Sequence, residues 1–421
     1  MVLAQKQFKN SGNKFNKNAV LYLGGISFFY ICMGSFNMMQ GIYIKELNFD
    51  ESFLGLILSL KTFSLAIFSI PCAMIVNKIG KKKGILLTMI IVPITIILQG
   101  MSQTKGMILG LSILQGGANS FILVSEGPFF MENSNGRNRI KLFSYSFADN
   151  VFSTMFGYFV FGQISGGFIR LFGSIEALRY AIVISGALGL MSIILIAFIK
   201  DSETCSVEDK TMFLKDLVKI SKKKYPMKFL LYNLLIGFGA GLVVPYFNVY
   251  LKYKVNATTE QIGIIMALAQ AAMGLGGLAT PYMAARYGRI KTIIMCQVAS
   301  IPFLMLIALP PNIIVVSIAL FIRNGLMNMA GPVVGNLSME LIEENERSIF
   351  ASVNNISNNL SRALSAIVGG FIMNNFSHGY ELPYFLTAIT YIMATMYFYK
   401  SFRGFDNKKV YAKKTNKAAI V

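Results

Sequence analysis

The stretch NKIGKKKG, residues Asn77–Gly84, recurs in the second half of the chain as ARYGRIKT, residues Ala285–Thr292. Gly80 and Gly288 set an offset of 208 residues between the two copies. The same offset pairs Gly55 with Gly263, Lys78 with Arg286, Lys83 with Lys291, Gly117 with Gly325, Gly127 with Gly335, Glu132 with Glu340, Arg139 with Arg347, Ser144 with Ser352, and Asn150 with Asn358. One register that holds over about a hundred residues in each half predicts two copies of one structural unit.

The composition of the chain is that of a membrane protein. Of its 421 residues, 54% are hydrophobic and 14% are charged, which is too apolar for a soluble protein of this size. The apolar stretches run for about 20 residues or more, the length that a helix needs to cross about 30 Å of hydrocarbon. They lack the alternation of barrel strands, and a spanning segment must satisfy its backbone internally. The sequence therefore predicts an all-α membrane protein.

Twelve such stretches are present, six before and six after a long polar segment. The predicted spans are residues 18–44, 52–76, 84–101, 106–130, 142–169, 179–199, 228–251, 261–284, 292–309, 312–338, 348–376 and 381–401. The predicted domains are a basic arm (1–17), an N-terminal six-helix bundle (18–199), a linker (200–227), a C-terminal six-helix bundle (228–401) and a basic tail (402–421). The second half of the linker is basic and partly amphipathic, so we expect it to lie along the inner membrane surface.

The positive charge is concentrated on one side of the predicted membrane. A net charge of +20 would suggest a nucleic-acid partner in a soluble protein. Most of the 39 Lys and Arg residues, however, fall in the arm, the 78–83 loop, the linker and the tail. Basic loops face the cytoplasm. We therefore expect a multi-pass protein of the cell (plasma) membrane, surrounded by the lipid bilayer, with both termini in the cytoplasm and no nucleic-acid partner.

The segment AMIVNKIGKKKG, which begins at Ala73, resembles a loop of the major facilitator superfamily. The pattern of that loop is Gly, three residues, Asp, a basic residue, any residue, Gly and two basic residues. Here Ala73 replaces the Gly and Asn77 replaces the Asp, while Ala285 stands at the acidic position of the second copy. Two six-helix bundles in the same orientation also match the parallel halves of these transporters. The resemblance implies the major facilitator fold.

A second pattern lies at the cytoplasmic end of the fourth span of each half. Six residues separate Glu132 from Arg139, and six separate Glu340 from Arg347. This pair resembles one that major facilitator proteins carry, sugar porters prominently. A carboxylate at one helix end and a basic residue at the next can bridge to the neighbouring basic loop and clamp the cytoplasmic face shut. The predicted cytoplasmic gate consists of Lys78, Gly80, Lys81, Glu132, Arg139, Arg286, Gly288, Arg289, Glu340 and Arg347.

Five ionisable residues stand inside the predicted spans: Lys61, Glu126, Asp149, Arg323 and Arg362. Charges within a membrane are costly and are candidates for function. The first four have uncharged residues at the repeat offset, so they break the twofold symmetry. A substrate or proton site is free to be asymmetric, whereas scaffold requirements are similar in both halves. We expect Lys61 to be a gating partner of the other half, and no role is assigned to Arg362.

Glu126 and Asp149 are the candidates for proton coupling. Burial disfavours the charged form of a carboxylate, so a buried acid is suited to proton uptake near neutral pH. Each residue has an alternative role, because Glu126 lies close enough to the inner end of its span to pair with Lys78 or Lys81. Asp149 in turn can pair with nearby Lys141 or a helix end.

Polar side chains occur on the first, fourth, seventh and tenth spans, which surround the substrate in the superfamily. The resemblance implies that the substrate cavity is lined by Asn37, Gln115, Asn119, Asn233, Asn248 and Arg323. Glu126 is at helical spacing from Gln115 and Asn119. Arg323 keeps its charge and requires an anion, a carbonyl group or a substrate. A substrate role and a structural pair with Glu126 are the two alternatives.

The resemblance implies secondary active transport by alternating access. The segment GQISGG, Gly162–Gly167, resembles the antiporter pattern Gly, Pro, two residues, Gly, Gly, with Gln163 in place of Pro. This pattern and a mixed apolar and amide-lined cavity favour proton-coupled efflux of small organic or drug-like molecules. The alternatives are proton-coupled uptake of a sugar, peptide or other nutrient, and a membrane receptor or scaffold that does not transport.

The sequence gives no sign of an enzyme or of a cofactor. No nucleophile, base and orienting group converge by spacing, and no phosphate-binding loop is present. The single histidine, His378, has no His or Cys neighbours that would form a metal site. We therefore predict a monomeric transporter of a small-molecule substrate with protons as the coupling ion. The high Lys, Asn and Ile content suggests a bacterial source.

Overall fold

The computed structural model describes residues 15–135, 138–200, 223–309, 312–343 and 346–406, and within these ranges the chain is helical without strands. The arm up to residue 14, residues 201–222 of the linker and the tail from residue 407 lie outside the described residues. The predicted orientation of the linker along the membrane surface falls on that undescribed part.

Twelve long helices follow one another in the described ranges. The first six are α1 (Lys17–Glu46), α2 (Glu51–Ile79), α3 (Lys81–Met101), α4 (Lys105–Glu132), α5 (Arg139–Phe172) and α6 (Ser174–Ala197). The second six are α7 (Lys224–Tyr253), α8 (Thr259–Tyr287), α9 (Arg289–Ala308), α10 (Ile313–Glu340), α11 (Arg347–Asn375) and α12 (Leu382–Phe402). Each predicted span overlaps one helix. The predicted all-α fold of two six-helix repeats is confirmed.

Hydrophobicity is uneven among these helices. In the part of the chain that the structure describes, nine helices are long and apolar enough to cross a membrane by length and composition alone. The others are α5, α11 and α12. Helices α5 and α11 occupy corresponding places in the repeat, and both carry many polar side chains, while α12 is rich in Tyr and Thr. Polar residues on a spanning helix must face protein or water rather than lipid.

Three of the helices are interrupted. Helix α6 is broken at Met191, and α10 is broken at Ala330, two residues before Pro332. Helix α7 contains a 3₁₀ turn, Val244–Tyr246, around Pro245. The interruptions of α7 and α10 lie at prolines. Proline has no backbone N–H and its ring clashes with the preceding turn, so it locally breaks the helical hydrogen-bond ladder.

The repeated loop adopts the same backbone conformation in both copies. Gly80 joins α2 to α3 with φ 91° and ψ 155°, and Gly288 joins α8 to α9 with φ 89° and ψ 159°. Side-chain-bearing residues are strongly disfavoured in this region of backbone space. The glycine of the repeated sequence is therefore required by the tight connection between two antiparallel helices.

Contacts divide the chain into two compact units. The first comprises residues 1–208, 244–271 and 366–379, and the second comprises residues 209–243, 272–365 and 380–421. In the first unit α4 packs against α2 and α3, and α1 packs against α5 and α6. In the second unit α7 packs against α12, and α9 packs against α10 and α12. The core of the second unit is mainly aliphatic and also contains five aromatic residues, Phe229, Tyr232, Phe350, Phe398 and Phe402.

Candidate functional site

Glu126 lies six residues before the C-terminal end of α4, where it faces α1 and α5. Its Oε1 accepts hydrogen bonds from the Tyr22 hydroxyl at 3.0 Å and the Ser146 hydroxyl at 2.9 Å. Tyr22 is fully buried, with its ring packed against Phe129 and Phe130. Within the described ranges no Lys or Arg forms an ion pair with Glu126. Hydroxyl partners therefore orient this carboxylate without supplying a positive charge that would hold it ionised.

Asp149 of α5 has a similar environment. Its Oδ1 accepts hydrogen bonds from Ser27 of α1 at 2.7 Å and from Ser153 of its own helix at 3.0 Å. We call Tyr22, Ser27, Glu126, Ser146, Asp149 and Ser153 the carboxylate cluster. Two acids and several hydroxyls in one bundle can pass or hold a proton because each hydroxyl both donates and accepts.

Lys61 of α2 contacts residues of α1 in its own half. Its Nζ donates to Asn37 Oδ1 at 3.3 Å and lies 5.3 Å from the centre of the Phe36 ring. A cation over an aromatic face is stabilised electrostatically. These contacts give Lys61 partners on the neighbouring helix, whereas the sequence suggested a partner in the other half.

The structure places Gln115 and Asn119 among the packed helices of the first unit. Gln115 is fully buried and accepts a hydrogen bond from Gln99 of α3 at 3.3 Å. Gln99 in turn accepts from Gln40 at 3.2 Å and from Ser112 at 3.1 Å. This amide network ties α1, α3 and α4 together. Buried amides that bond to one another across helices also specify helix register.

In the part of the chain that the structure describes, an ion pair between predicted gate residues is present in each half. Lys81 Nζ pairs with Glu132 Oε1, and the guanidinium of Arg289 pairs with Glu340 Oε1 at 2.6 Å. The 208-residue offset relates Lys81 to Arg289 and Glu132 to Glu340. Each pair joins the end of α4 or α10 to the repeated loop of the same half.

The remaining basic gate candidates contact nearby chain segments. Arg139 donates to Ser134 Oγ at 3.3 Å, and Arg347 donates to the Met339 carbonyl at 3.0 Å. Lys78 is exposed, and Arg286 lies over the ring of Tyr287 at 5.4 Å. The two arginines thus hold the connections between α4 and α5 and between α10 and α11.

Helices of the two sequence halves meet within the first unit, on the side opposite the basic loops. A Cβ atom on Gly162 of α5 would lie 2.8 Å from Gly263 Cα of α8, and one on Gly55 of α2 would lie 3.3 Å from Gly370 Cα of α11. The offset relates Gly55 to Gly263 and Gly162 to Gly370. Two symmetric glycine crossings therefore close this side, and only glycine permits such backbone approach.

Polar contacts reinforce the closure. Asn248 of α7 donates to the Met38 carbonyl at 2.7 Å and is almost fully buried. Arg170 pairs with Glu260 at 2.7 Å, and Tyr253 donates to Glu46 at 2.9 Å. The structure thus places Asn248, a predicted cavity residue, in a helix contact of the closed side.

Asparagines connect α7 and α11 in the second unit. The side-chain amide of Asn233 donates to Asn354 Oδ1 at 2.5 Å. The backbone carbonyl of Asn233 accepts a hydrogen bond from the Asn358 side chain at 3.2 Å. Ser361 donates to the Leu234 carbonyl at 2.6 Å. Asn233 is thereby placed between helices with its side chain satisfied by α11.

Two arginines of the second unit belong to the interiors of α10 and α11. Arg323 of α10 is only 2% exposed and donates to Asn324 Oδ1 at 3.5 Å. Arg362 of α11 is half-buried. Sequence analysis gave Arg362 no role. A helical plot of α11 would have drawn attention to it, because Asn355 and Asn359 precede it at helical spacing.

Comparison with known proteins identifies the family. The model of the Major Facilitator Superfamily matches residues 22–228 and 229–419, which is nearly the whole chain in two successive copies. This protein belongs to the Major Facilitator Superfamily. Multidrug resistance protein 2 of Bacillus subtilis (strain 168) is 22% identical over 269 residues, a match that covers 62% of this chain and 64% of that relative. The chain therefore matches a little under two thirds of that relative's length.

Solved structures support the same fold. A crystal structure of the nucleoside transporter NupG superposes with a TM-score of 0.75 at 14% identity, covering 91% of this chain and 99% of that one. A bacterial homolog of the human lysosomal transporter Spinster, solved inward-facing and unoccupied, gives a TM-score of 0.74 at 13% identity, covering 92% and 96%. The family is one of membrane transporters, and at this level of identity the solved structures show its fold in this chain.

Proposed function

We propose that this transporter exports small organic or drug-like molecules in exchange for protons, by alternating access. It acts as a monomer in the plasma membrane of a bacterium, with both termini in the cytoplasm. The basic loops and the positive-inside rule support this orientation. The cytoplasmic gate is assigned to the two symmetric ion pairs and the loops that hold them.

The observation that carries the proposal is the environment of Glu126. The carboxylate is bonded to two hydroxyls, and Lys81 pairs with Glu132 instead. An acid without a fixed cation can alternate between its charged and protonated forms as its access to water changes. The protonated form would donate to a hydroxyl oxygen at the same place. Glu126 is therefore assigned as the proton carrier, with Asp149 as a second site.

Export is supported by two observations of different kinds. The segment Gly162–Gly167 resembles the antiporter pattern of the superfamily, and the curated relative is a multidrug resistance protein. Gly162 lies at one of the two glycine crossings of the first unit. An antiporter pattern at a helix crossing is suited to coupling the closure of one side to the movement of cargo.

The test uses energised inside-out vesicles that contain the wild-type protein, Glu126→Gln or the control Glu176→Gln. Glu176 pairs with Arg179 at the start of α6, outside the carboxylate cluster. Dyes, antibiotics, sugars, nucleosides and short peptides are added in turn, and the collapse of the pH gradient is recorded. We expect a drug-like compound to release protons with the wild type and with Glu176→Gln, but not with Glu126→Gln.

Other outcomes would assign a different function. If no compound releases protons and right-side-out vesicles accumulate a nutrient of the panel, the protein is an importer. If a compound binds tightly but neither crosses the membrane nor exchanges, the protein is a receptor. Equal proton release by wild type and Glu126→Gln would remove Glu126 from the coupling mechanism while leaving export in place.

A further inference from the structure

One carboxylate oxygen of Asp149 lacks a partner. The other oxygen, Oδ1, accepts hydrogen bonds from Ser27 at 2.7 Å and from Ser153 at 3.0 Å. Oδ2 is shielded from solvent, and none of the residues that the structure describes lies within hydrogen-bond distance of it. A buried carboxylate oxygen that accepts no hydrogen bond is unfavourable, because nothing offsets its loss of hydration. A positively charged ligand would supply what this oxygen lacks.

Asp149 also lacks a protein cation. It stands ten residues after Arg139, the first residue of α5, which is about 15 Å along the helix axis. No Lys or Arg in the described ranges forms an ion pair with it. An ionised carboxylate inside a membrane span requires a compensating charge. That charge must come from a proton or from an ion that enters the protein.

The groups around this carboxylate are oxygen donors from two helices. Besides contacting Asp149, the hydroxyl of Ser27 lies 2.9 Å from the Leu23 carbonyl of α1. A hydroxyl that donates to this carbonyl has its lone pairs free to face a cation. Ser153 contributes a second hydroxyl from α5. Hard cations are bound by oxygen ligands of these types.

Charge and spacing favour a small monovalent ion. One carboxylate balances one positive charge, whereas a divalent ion would leave a net charge in a region of low dielectric. The hydroxyl oxygens lie only 2.7 and 3.0 Å from Oδ1, and closely spaced ligands favour a small ion. Ser153 is buried, while Ser27 and Asp149 are half-buried and leave a path for an ion to enter.

The repeat provides an internal comparison for this site. The 208-residue offset relates its members Asp149, Ser27 and Ser153 to Ser357, Leu235 and Ser361. Ser361 donates to the Leu234 carbonyl at 2.6 Å, so the equivalent hydroxyl of the second half joins α11 directly to α7. Packing of this helix pair therefore does not require a carboxylate, and the acid of the first half is available for binding.

We infer that Asp149, Ser27 and Ser153 bind a sodium ion between α1 and α5. The carboxylate supplies the negative charge and the two hydroxyls supply further oxygen ligands. This inference rests on the proposed function, in which Asp149 is the second ion site, and it gives that site sodium beside the proton. Because its ligands come from two helices, the ion ties α1 to α5 and stabilises the first unit.

The experiment measures binding of radioactive sodium to the purified full-length protein in lipid nanodiscs by scintillation proximity. Choline chloride keeps the ionic strength constant, and unlabelled NaCl, LiCl and KCl are the competitors. The variants are Asp149→Asn, Ser27→Ala and Ser153→Ala. Ser185→Ala is the matched control, since this buried serine of α6 donates to the Ile182 carbonyl of its own helix.

We expect the wild type and Ser185→Ala to bind sodium saturably, with displacement by Na⁺ and Li⁺ and weaker displacement by K⁺. Asp149→Asn should abolish binding, and each of Ser27→Ala and Ser153→Ala should raise the Kd about tenfold, as expected for the loss of one ligand to a charged group. NaCl should raise the melting temperature of the wild type relative to choline chloride but not that of Asp149→Asn. Melting in choline chloride shows that each variant is folded.

Three results would overturn the sodium site. They are no saturable binding by the wild type, equal affinity in the wild type and Asp149→Asn, and displacement by choline or K⁺ as effective as that by Na⁺.

The vesicle assay in sodium-free buffer tests the proposed function separately, and Glu126→Gln should retain sodium binding. Substrate-driven proton release without sodium binding would refute the sodium site and leave proton-coupled export in place. Sodium binding without proton release for any compound would refute proton-coupled export and leave the sodium site in place.

Discussion

Gly162 of α5 and Gly263 of α8 approach so closely that a Cβ atom on Gly162 would lie 2.8 Å from the Cα atom of Gly263. Their repeat equivalents, Gly370 and Gly55, meet in the same way between α11 and α2. The 208-residue repeat therefore generates the helix contacts that close this side of the first unit, in addition to the loops that identify the repeat.

Replacing Gly162 by Leu should open this closure. The side chain has no space beside Gly263, so α8 must move away from α5. Hydrogen–deuterium exchange of the segment 244–263 should rise relative to the wild type. Gly167→Leu is the matched control, because open space surrounds that position on the same helix. Unchanged exchange in Gly162→Leu would show that this crossing does not maintain the closure.

The two ion pairs of the gate should contribute modestly and independently to stability. Glu132→Gln and Glu340→Gln each remove one pair of partly exposed side chains, which is worth about 1 kcal/mol or less. Because the pairs lie in different halves, their effects should add within about 0.5 kcal/mol in the double variant. A thiol-reactive dye can follow thermal unfolding, since Cys32, Cys72 and Cys296 are buried. A double variant far less stable than this sum would indicate that the pairs are coupled.

Removing the Tyr22 hydroxyl should impair proton coupling more than stability. Tyr22→Phe keeps the ring packing against Phe129 and Phe130 but loses the hydrogen bond to Glu126, a change of about 1 kcal/mol in unfolding free energy. Substrate-driven proton release should fall several-fold while the melting temperature changes little.

Tyr43→Phe provides the control for this experiment. It removes a buried hydroxyl bond to the Gly100 carbonyl, at 2.6 Å, away from the carboxylate cluster. The two variants should be similarly stable. Equal proton release by Tyr22→Phe and Tyr43→Phe would contradict a role for the Tyr22 hydroxyl in coupling.

Replacing the loop glycines by alanine should destabilise the protein more than replacing glycines within helices. Gly80→Ala and Gly288→Ala place a side chain in a backbone region that costs about 1–3 kcal/mol. Gly127→Ala and Gly335→Ala, which are also repeat equivalents, add a methyl group to open space on a helix and should stabilise by up to about 1 kcal/mol. Thermal unfolding of the four variants tests this order. Equal effects of all four would show that the positive φ angles do not constrain these loops.

Sequence analysis located the charges inside the membrane but not their partners. It identified Glu126 as a candidate and left its pairing open, because Lys78, Lys81 and a proton site were all compatible with its position. The hydroxyls of Tyr22 and Ser146 decide its environment, and they come from α1 and α5. No spacing along one helix can show which side chains of other helices face it.

The glycine crossings illustrate the same limit. Gly55 and Gly263 were paired by the repeat, but repeat equivalence relates positions that do not touch each other. The contacting partners are Gly370 and Gly162, which belong to other helices of the opposite half.

The sequence by itself determined the membrane environment, the number of spans, the parallel repeat and the family resemblance. These follow from local properties, since each apolar segment of sufficient length enters the bilayer as a helix and each basic loop stays on one side. Only the tertiary structure decided the hydroxyl partners of Glu126 and Asp149, the gate pairs within each half and the closing glycine contacts. Side-chain partners lie on different helices, and lipid offers no hydrophobic force to align them, so close packing selects the partners.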